Sequence, residues 1–74
     1  IEFDLASEQD VELRIYNLSG QRVVTLVSGV RGVGRHIAHW DGRDESGRGV
    51  ASGMYFYRLQ TGTDQQIRKL LLLQ

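Results

Sequence analysis

Trp40-Asp41-Gly42-Arg43-Asp44-Glu45-Ser46-Gly47-Arg48-Gly49-Val50-Ala51-Ser52-Gly53-Met54-Tyr55-Phe56-Tyr57 is the stretch that decides the fold. It joins the end of one apolar segment, a polar loop rich in turn-forming residues, and an aromatic strand. Asp41, Gly42, Asp44, Ser46, Gly47 and Gly49 lie between Trp40 and the alternating Tyr55 and Tyr57, the composition expected where strands are linked by polar turns. The pattern predicts an all-β domain and carries no catalytic signature.

Outward from this stretch, the same period-two pattern recurs. Ile1, Phe3 and Leu5 alternate with Glu2 and Asp4, and Val11, Leu13 and Ile15 alternate with Glu12 and Arg14, as in half-buried strands. Asn17-Leu18-Ser19-Gly20 supplies a turn in which Gly20 takes the left-handed conformation. A third strand is expected through about Val27; its apolar residues Val23, Val24, Leu26 and Val27 do not alternate, which predicts a bulge near Thr25 or burial on both faces. Gly29, Gly32 and Gly34 read as a connection. Arg35 to Trp40 reads as a strand with His36, Ala38 and Trp40 on one face. Met54 to Thr61 places Tyr55, Tyr57 and Leu59 on one side, Thr61-Gly62-Thr63-Asp64 turns it, and Gln65 to Leu73 pairs back. Proline is absent and no window holds a helical period. The expectation is one domain over residues 1–74, an antiparallel β-sandwich of about seven strands.

Composition narrows the function. A chain of 74 residues buries only about 60% of the surface it exposes when unfolded, which leaves little room for a deep cleft. Nine basic and nine acidic residues cancel, and the basic ones are spread from Arg14 to Lys69, a poor match to a phosphate backbone. Cysteine is absent, so there is neither a disulfide framework nor a thiolate nucleophile. Leu70 to Leu73 is too short to cross a bilayer and no signal-like segment opens the chain, giving the expectation of a soluble domain excised from something larger.

The candidate chemistry is weak. His36 and His39, three apart on a strand, point to opposite faces and do not converge on a metal. His39 with Asp41 suggests an oriented base but has no nucleophile. Asp41, Asp44 and Glu45 raise calcium, against which stand Asx turns that use the same residues and a spacing unlike the twelve-residue calcium loop. Asp41 with Asp44 as a glycosidase pair lacks a cleft. Trp40, Tyr16, Tyr55, Phe56 and Tyr57 could form a sugar platform, against the reading of Trp40 as a core anchor. No cofactor is expected. The remaining feature is Ile67-Arg68-Lys69-Leu70-Leu71-Leu72-Leu73-Gln74, apolar on both faces at its end, which must be covered on both sides or offered to another protein.

Ile15 to Val23, Trp40 to Asp44 with Gly47, Ser52 to Leu59, and Arg68-Lys69-Leu70, in this order, resemble the immunoglobulin-like module first named from the flagellar hook-capping protein. They also resemble the closely similar type A sorting domain of type IX secretion substrates. The resemblance implies an immunoglobulin-like sandwich at the end of a secreted or surface protein, recognised by an outer-membrane secretion machinery of a Gram-negative envelope. It also implies that Ser52, Gly53, Tyr55 and the Lys69-plus-apolar strand are the repeated features. Tyr55 would then act as a tyrosine corner, its hydroxyl bonded to the preceding loop.

Together these readings give a non-catalytic sorting or anchoring module. Lys69, Leu70, Leu71, Leu72 and Leu73 are its recognition element, and Trp40, Asp41, Gly42, Gly53, Tyr55 and Tyr57 are its structural signature. Two alternatives are a self-assembling structural subunit that pairs through edge strands, its acidic first strand meeting its basic last strand, and an accessory carbohydrate-binding module. The expected partners are the secretion machinery or neighbouring subunits, with a homo-oligomer as one form and no nucleic acid.

Overall fold

Alternating burial along the chain becomes strand in the computed structural model, which describes residues 1–62 and 64–74. Six strands form among the described residues: β1 (Glu2–Leu5), β2 (Gln9–Tyr16), β3 (Arg22–Arg31), β4 (Gly34–Ile37), β5 (Gly53–Thr61) and β6 (Asp64–Leu72). They make an antiparallel four-stranded sheet in the order β3-β2-β5-β6 and a two-stranded sheet of β1 and β4. The expected antiparallel all-β architecture is present, with six strands where about seven were expected. The second sheet has only two strands, and residues 38–52 cover the rest as a loop with a single isolated bridge, Arg43 to Gly49.

Strand β2 is central because its alternation is strictest: Val11, Leu13 and Ile15 are buried, while Glu12, Arg14 and Tyr16 face outward and are half-buried. On one side it pairs with β5, placing Leu13 opposite Leu59 and Ile15 opposite Tyr57. On the other it pairs with β3 through two one-residue slips. Leu13 faces Val27 and Arg14 faces Thr25, skipping Leu26; Ile15 faces Val24 and Tyr16 faces Arg22, skipping Val23. These bulges explain how Val23, Val24, Leu26 and Val27 are all at least half-buried without alternating, and they place the expected irregularity at Thr25.

Two expectations need correction. The third strand does not stop near Val27 but continues to Arg31, carrying Gly29 inside it at φ 120°; Gly29 stays paired with Val11. The fourth strand ends at Ile37, so Trp40 lies in the loop. Beyond the strand, Ala38 still exchanges two main-chain bonds with Ile1, donating to its carbonyl at 2.8 Å and accepting from its nitrogen at 2.9 Å, and Trp40 lies two residues past that pair.

The hairpin turns follow local chemistry. Asn17 Oδ1 accepts from the amides of Ser19 and Gln21, both at 3.0 Å, and Gly20 closes the turn at φ 83°. At the β5–β6 turn Thr61 pairs with Asp64 and Gly62 has φ 54°; Thr63 of the expected turn lies outside the described residues.

The core sits between the sheets. Phe3, Leu5, Val11, Leu13, Ala38 and Leu59 form one buried cluster, with Ile1, Leu26, Val27 and Tyr57 packed against it. Leu13 and Ile15 are fully buried. Replacing Leu13 by Ala is expected to cost about 3 kcal/mol, the transfer loss plus a cavity, whereas Leu18→Ala at the exposed turn should change stability by under about 0.5 kcal/mol. Urea unfolding of the two variants checks both values.

Candidate protein interface

Residues 38–52 leave β4 and span the open end of the large sheet. Trp40 is half-buried, its indole meeting the Tyr55 ring edge-on at 5.0 Å and 75°, and its Nε1 donates to the Arg43 carbonyl at 2.9 Å. Tyr55 is buried and its hydroxyl donates to the Ala51 carbonyl at 2.6 Å, the bond back into the preceding loop that a tyrosine corner requires. Gly53, at φ 146°, begins β5 in a conformation side chains rarely adopt. Asp41 Oδ1 accepts from the Arg43 amide at 3.1 Å. Gly42 is buried at φ 77°, and a Cβ there would lie 2.9 Å from the Gln74 side chain and 3.3 Å from Leu72. Gln74 in turn donates through Nε2 to the carbonyls of Gly42 and Val50, and its amide donates to Ser52 Oγ at 2.9 Å. The loop therefore ties itself to the end of β6 at one side.

At the other side it ties itself to β3. The Glu45 amide donates to the Val23 carbonyl at 3.1 Å, and Glu45 Oε1 accepts from the Thr25 amide at 3.0 Å. One main-chain donor and one acceptor on the outer edge of β3 are satisfied this way, so that edge is blocked where another strand would otherwise pair. Sequence reasoning missed both the Glu45 and the Gln74 contacts, which join residues 20 or more apart and leave no local pattern.

Among the described residues, none pairs with the outer edge of β6. Of the five expected recognition residues, the period of two splits the strand between faces. Leu70, opposite Tyr55, and Leu72, opposite Gly53, are half-buried on the inner face; Lys69 and Leu71 point outward and are exposed, and Leu73 lies beyond the strand at 80% exposure. Ile67 and Leu71 on the outer face are 60% and 59% exposed, and Met54, opposite Leu71, is 41% exposed. Phe56, opposite Lys69, and Tyr16, opposite Phe56, continue the face inward. Period-two reading of β5 would have found Met54 and Phe56 as the outward partners of Tyr55 and Tyr57.

The outer face turns polar toward β2. Arg14 and Arg58 stand directly opposite each other, a repulsive placement, and Glu12 bridges them, at 2.8 Å from Arg14 Nε and 3.4 Å from Arg58 Nη2. The Arg58 guanidinium lies 5.5 Å from the Tyr16 ring centre, a cation–π contact that covers one ring face. With Tyr16 under Arg58 and Trp40 set edge-on to Tyr55, the aromatic residues do not present the flat, coplanar platform that a sugar-binding reading needs.

The remaining polar candidates are engaged locally. His36 stacks on Phe3 at 5.3 Å with its Nε2 2.8 Å from the Gly32 carbonyl, while His39 is exposed. Asp44 Oδ1 accepts from Ser46 Oγ at 2.8 Å and from the amides of Ser46 and Arg48, each at 3.0 Å. Of the residues that raised calcium, Asp41 and Asp44 make Asx turns, and Glu45 bonds to Thr25. The bonds to Asp44, the Ser46 hydroxyl first and the Arg48 amide next, hold its pKa below the ordinary aspartate value.

A carboxyl whose folded pKa is depressed contributes stability above its unfolded pKa and loses it as pH falls through the folded value. The domain should therefore lose part of its stability below the ordinary aspartate range, and Asp44→Asn should flatten that part of the curve; thermal melts from pH 7 to pH 2 check this. Gly42 and Gly47 both have positive φ, but only at Gly42 would a Cβ meet neighbours within 4 Å. Gly47→Ala is expected to cost about 1 kcal/mol of backbone strain, and Gly42→Ala about 1–2 kcal/mol more, because Gln74 and Leu72 must also move; parallel urea titrations measure the difference.

Comparison with known proteins places this geometry. The family model of the FlgD Ig-like domain matches residues 1–65. No curated protein and no solved structure matches the chain significantly. The match accords with two packed antiparallel sheets, and on it this chain belongs to the FlgD Ig-like domain family.

Proposed function

We propose that this domain is a non-catalytic structural module that joins its parent protein to a neighbouring protein subunit through β6. The observation that carries the reading is the unequal treatment of the two sheet edges. Glu45 clasps the edge of β3 at Val23 and Thr25, while β6 ends the large sheet with exposed Ile67 and Leu71 flanking exposed Lys69. Open apolar edges template pairing and are normally blocked. Membership of a family named from a hook-cap protein supports assembly with neighbouring subunits as the general role.

A narrower reading makes the same strand a sorting signal, with Lys69 to Leu73 read by the secretion machinery of a Gram-negative outer membrane and the parent protein delivered to the surface or beyond. Its support is the exposure of Lys69, Leu71 and Leu73 together.

The test uses Ile67→Ser with Leu71→Ser in the parent protein, since both side chains are exposed and their loss spares the core. Assembly with neighbouring subunits, followed by sizing and electron microscopy, should weaken by about tenfold or more, the scale of losing one well-placed apolar anchor, with an unchanged unfolding midpoint. Unaltered assembly would refute the interface. For the sorting reading, a cargo fused to the domain should lose export when Lys69→Glu and Leu71→Ser are combined; retained export would remove that role.

A further inference from the structure

Two cations stand at adjacent positions of β6 with no acid to meet them. Arg68 lies opposite Tyr57 and so on the inner face, Lys69 lies opposite Phe56 on the outer face, and both are exposed. Neither joins an ion pair among the described residues, whose pairs hold Arg14, Arg35, Arg43 and Arg58. Strand β5, their hydrogen-bonded neighbour, carries no acid, and the acid of β6, Asp64, sits at the turn opposite Thr61. One strand further, Glu12 of β2 is already shared by Arg14 and Arg58.

The same strand ends the large sheet. Exposed Ile67 and Leu71 flank Lys69 on the outer face, and half-buried Leu70 follows Arg68 on the inner one. A segment that adds to this edge as a strand sets one residue opposite each of these, with side chains about 5 Å apart and alternating between the faces. Opposite charges stabilise such cross-strand positions and like charges destabilise them. The residues set against Arg68 and Lys69 are neighbours in the added segment, so a consecutive pair of acids answers both cations, one on each face of the sheet. Apolar residues beside that pair meet Ile67 at one end and Leu70 and Leu71 at the other.

This requirement sets the chain's own strands aside. Their acids fall two apart and share one face, Glu2 with Asp4 in β1 and Asp10 with Glu12 in β2. The adjacent acids of the sequence, Asp44 and Glu45, lie in the loop, where Asp44 closes its Asx turn and Glu45 holds Thr25. Resting on the structural-module reading, we infer that β6 takes an extended segment of a different protein, in which two consecutive acidic residues are flanked by apolar ones. Arg68 and Lys69 read the acids, and Ile67, Leu70 and Leu71 read the flanks. The paired charges also mark the register, because a slip of one residue sets an apolar side chain against one of the cations and turns the segment's faces over.

The experiment is selection from a display library of short random peptides, by the purified chain and by a variant carrying Arg68→Glu and Lys69→Glu, with circular dichroism confirming the fold of both. The wild-type chain should enrich peptides with consecutive acids between apolar residues, and the variant should enrich consecutive basic residues instead. A selected acidic peptide, resynthesised, should bind the variant at least about tenfold more weakly than the wild type. Its binding should weaken with salt and should protect alternate β6 amides from hydrogen exchange. No enrichment by the wild-type chain, enrichment without the acidic pair, or the same peptides from both chains would each overturn the inference. Binding of the chain to phosphatidylserine vesicles but to no acidic peptide would assign the cations to a lipid surface and overturn it as well. If the peptides fail while parent-protein assembly still depends on Ile67 and Leu71, the acidic partner falls and the structural-module reading stands.

Discussion

A sheet of two strands covers only part of a sheet of four, and the rest of this molecule follows from how the remainder is covered. Phe3 and Leu5 of β1 lie with Leu13 and Leu59 in the buried cluster. Beyond it, Tyr55, Leu70 and Leu72 would face water. Residues 38–52 lie across this end, and the Trp40–Tyr55 contact with the Tyr55–Ala51 bond holds them down. The loop has little regular structure, so its main-chain polar groups need other partners. Asp41 and Asp44 supply some from within, and Gln74 and the Val23 carbonyl from its two flanks.

That cover has a consequence for the edges. An antiparallel sheet that does not close must dispose of two rows of unpaired amides and carbonyls. By reaching across to Thr25 and Val23, the loop removes part of one row. Strand β6 keeps the other, with Ile67, Lys69 and Leu71 displayed beside it. The large sheet thus has one edge clasped at Val23 and Thr25 and the other open along β6.

Much of this was legible in the residues. Val11, Leu13 and Ile15 announce a strand because burial of one face enforces a period of two, and Val23, Val24, Leu26 and Val27 announce a bulge or burial on both faces because they do not alternate cleanly. Asn17 and Gly20 fix their turn through bonds within five residues. Tyr55 could be assigned its corner because the motif is local. What could not be read were contacts of long separation. The Glu45 clasp on β3 depends on where the loop lands. The division of Lys69 to Leu73 between two faces follows from strand geometry, but which face is covered depends on the loop, and the count of strands depends on the same thing.

The unequal edges are most directly tested by amide hydrogen exchange on the folded, monomeric domain at low concentration. The Thr25 amide, on the edge of the sheet but bonded to Glu45, should be protected, and should lose that protection in Glu45→Ala, while alternate amides along β6 exchange rapidly. Rapid exchange at Thr25 in the wild-type chain, or uniform protection along the whole of β6, would contradict the account.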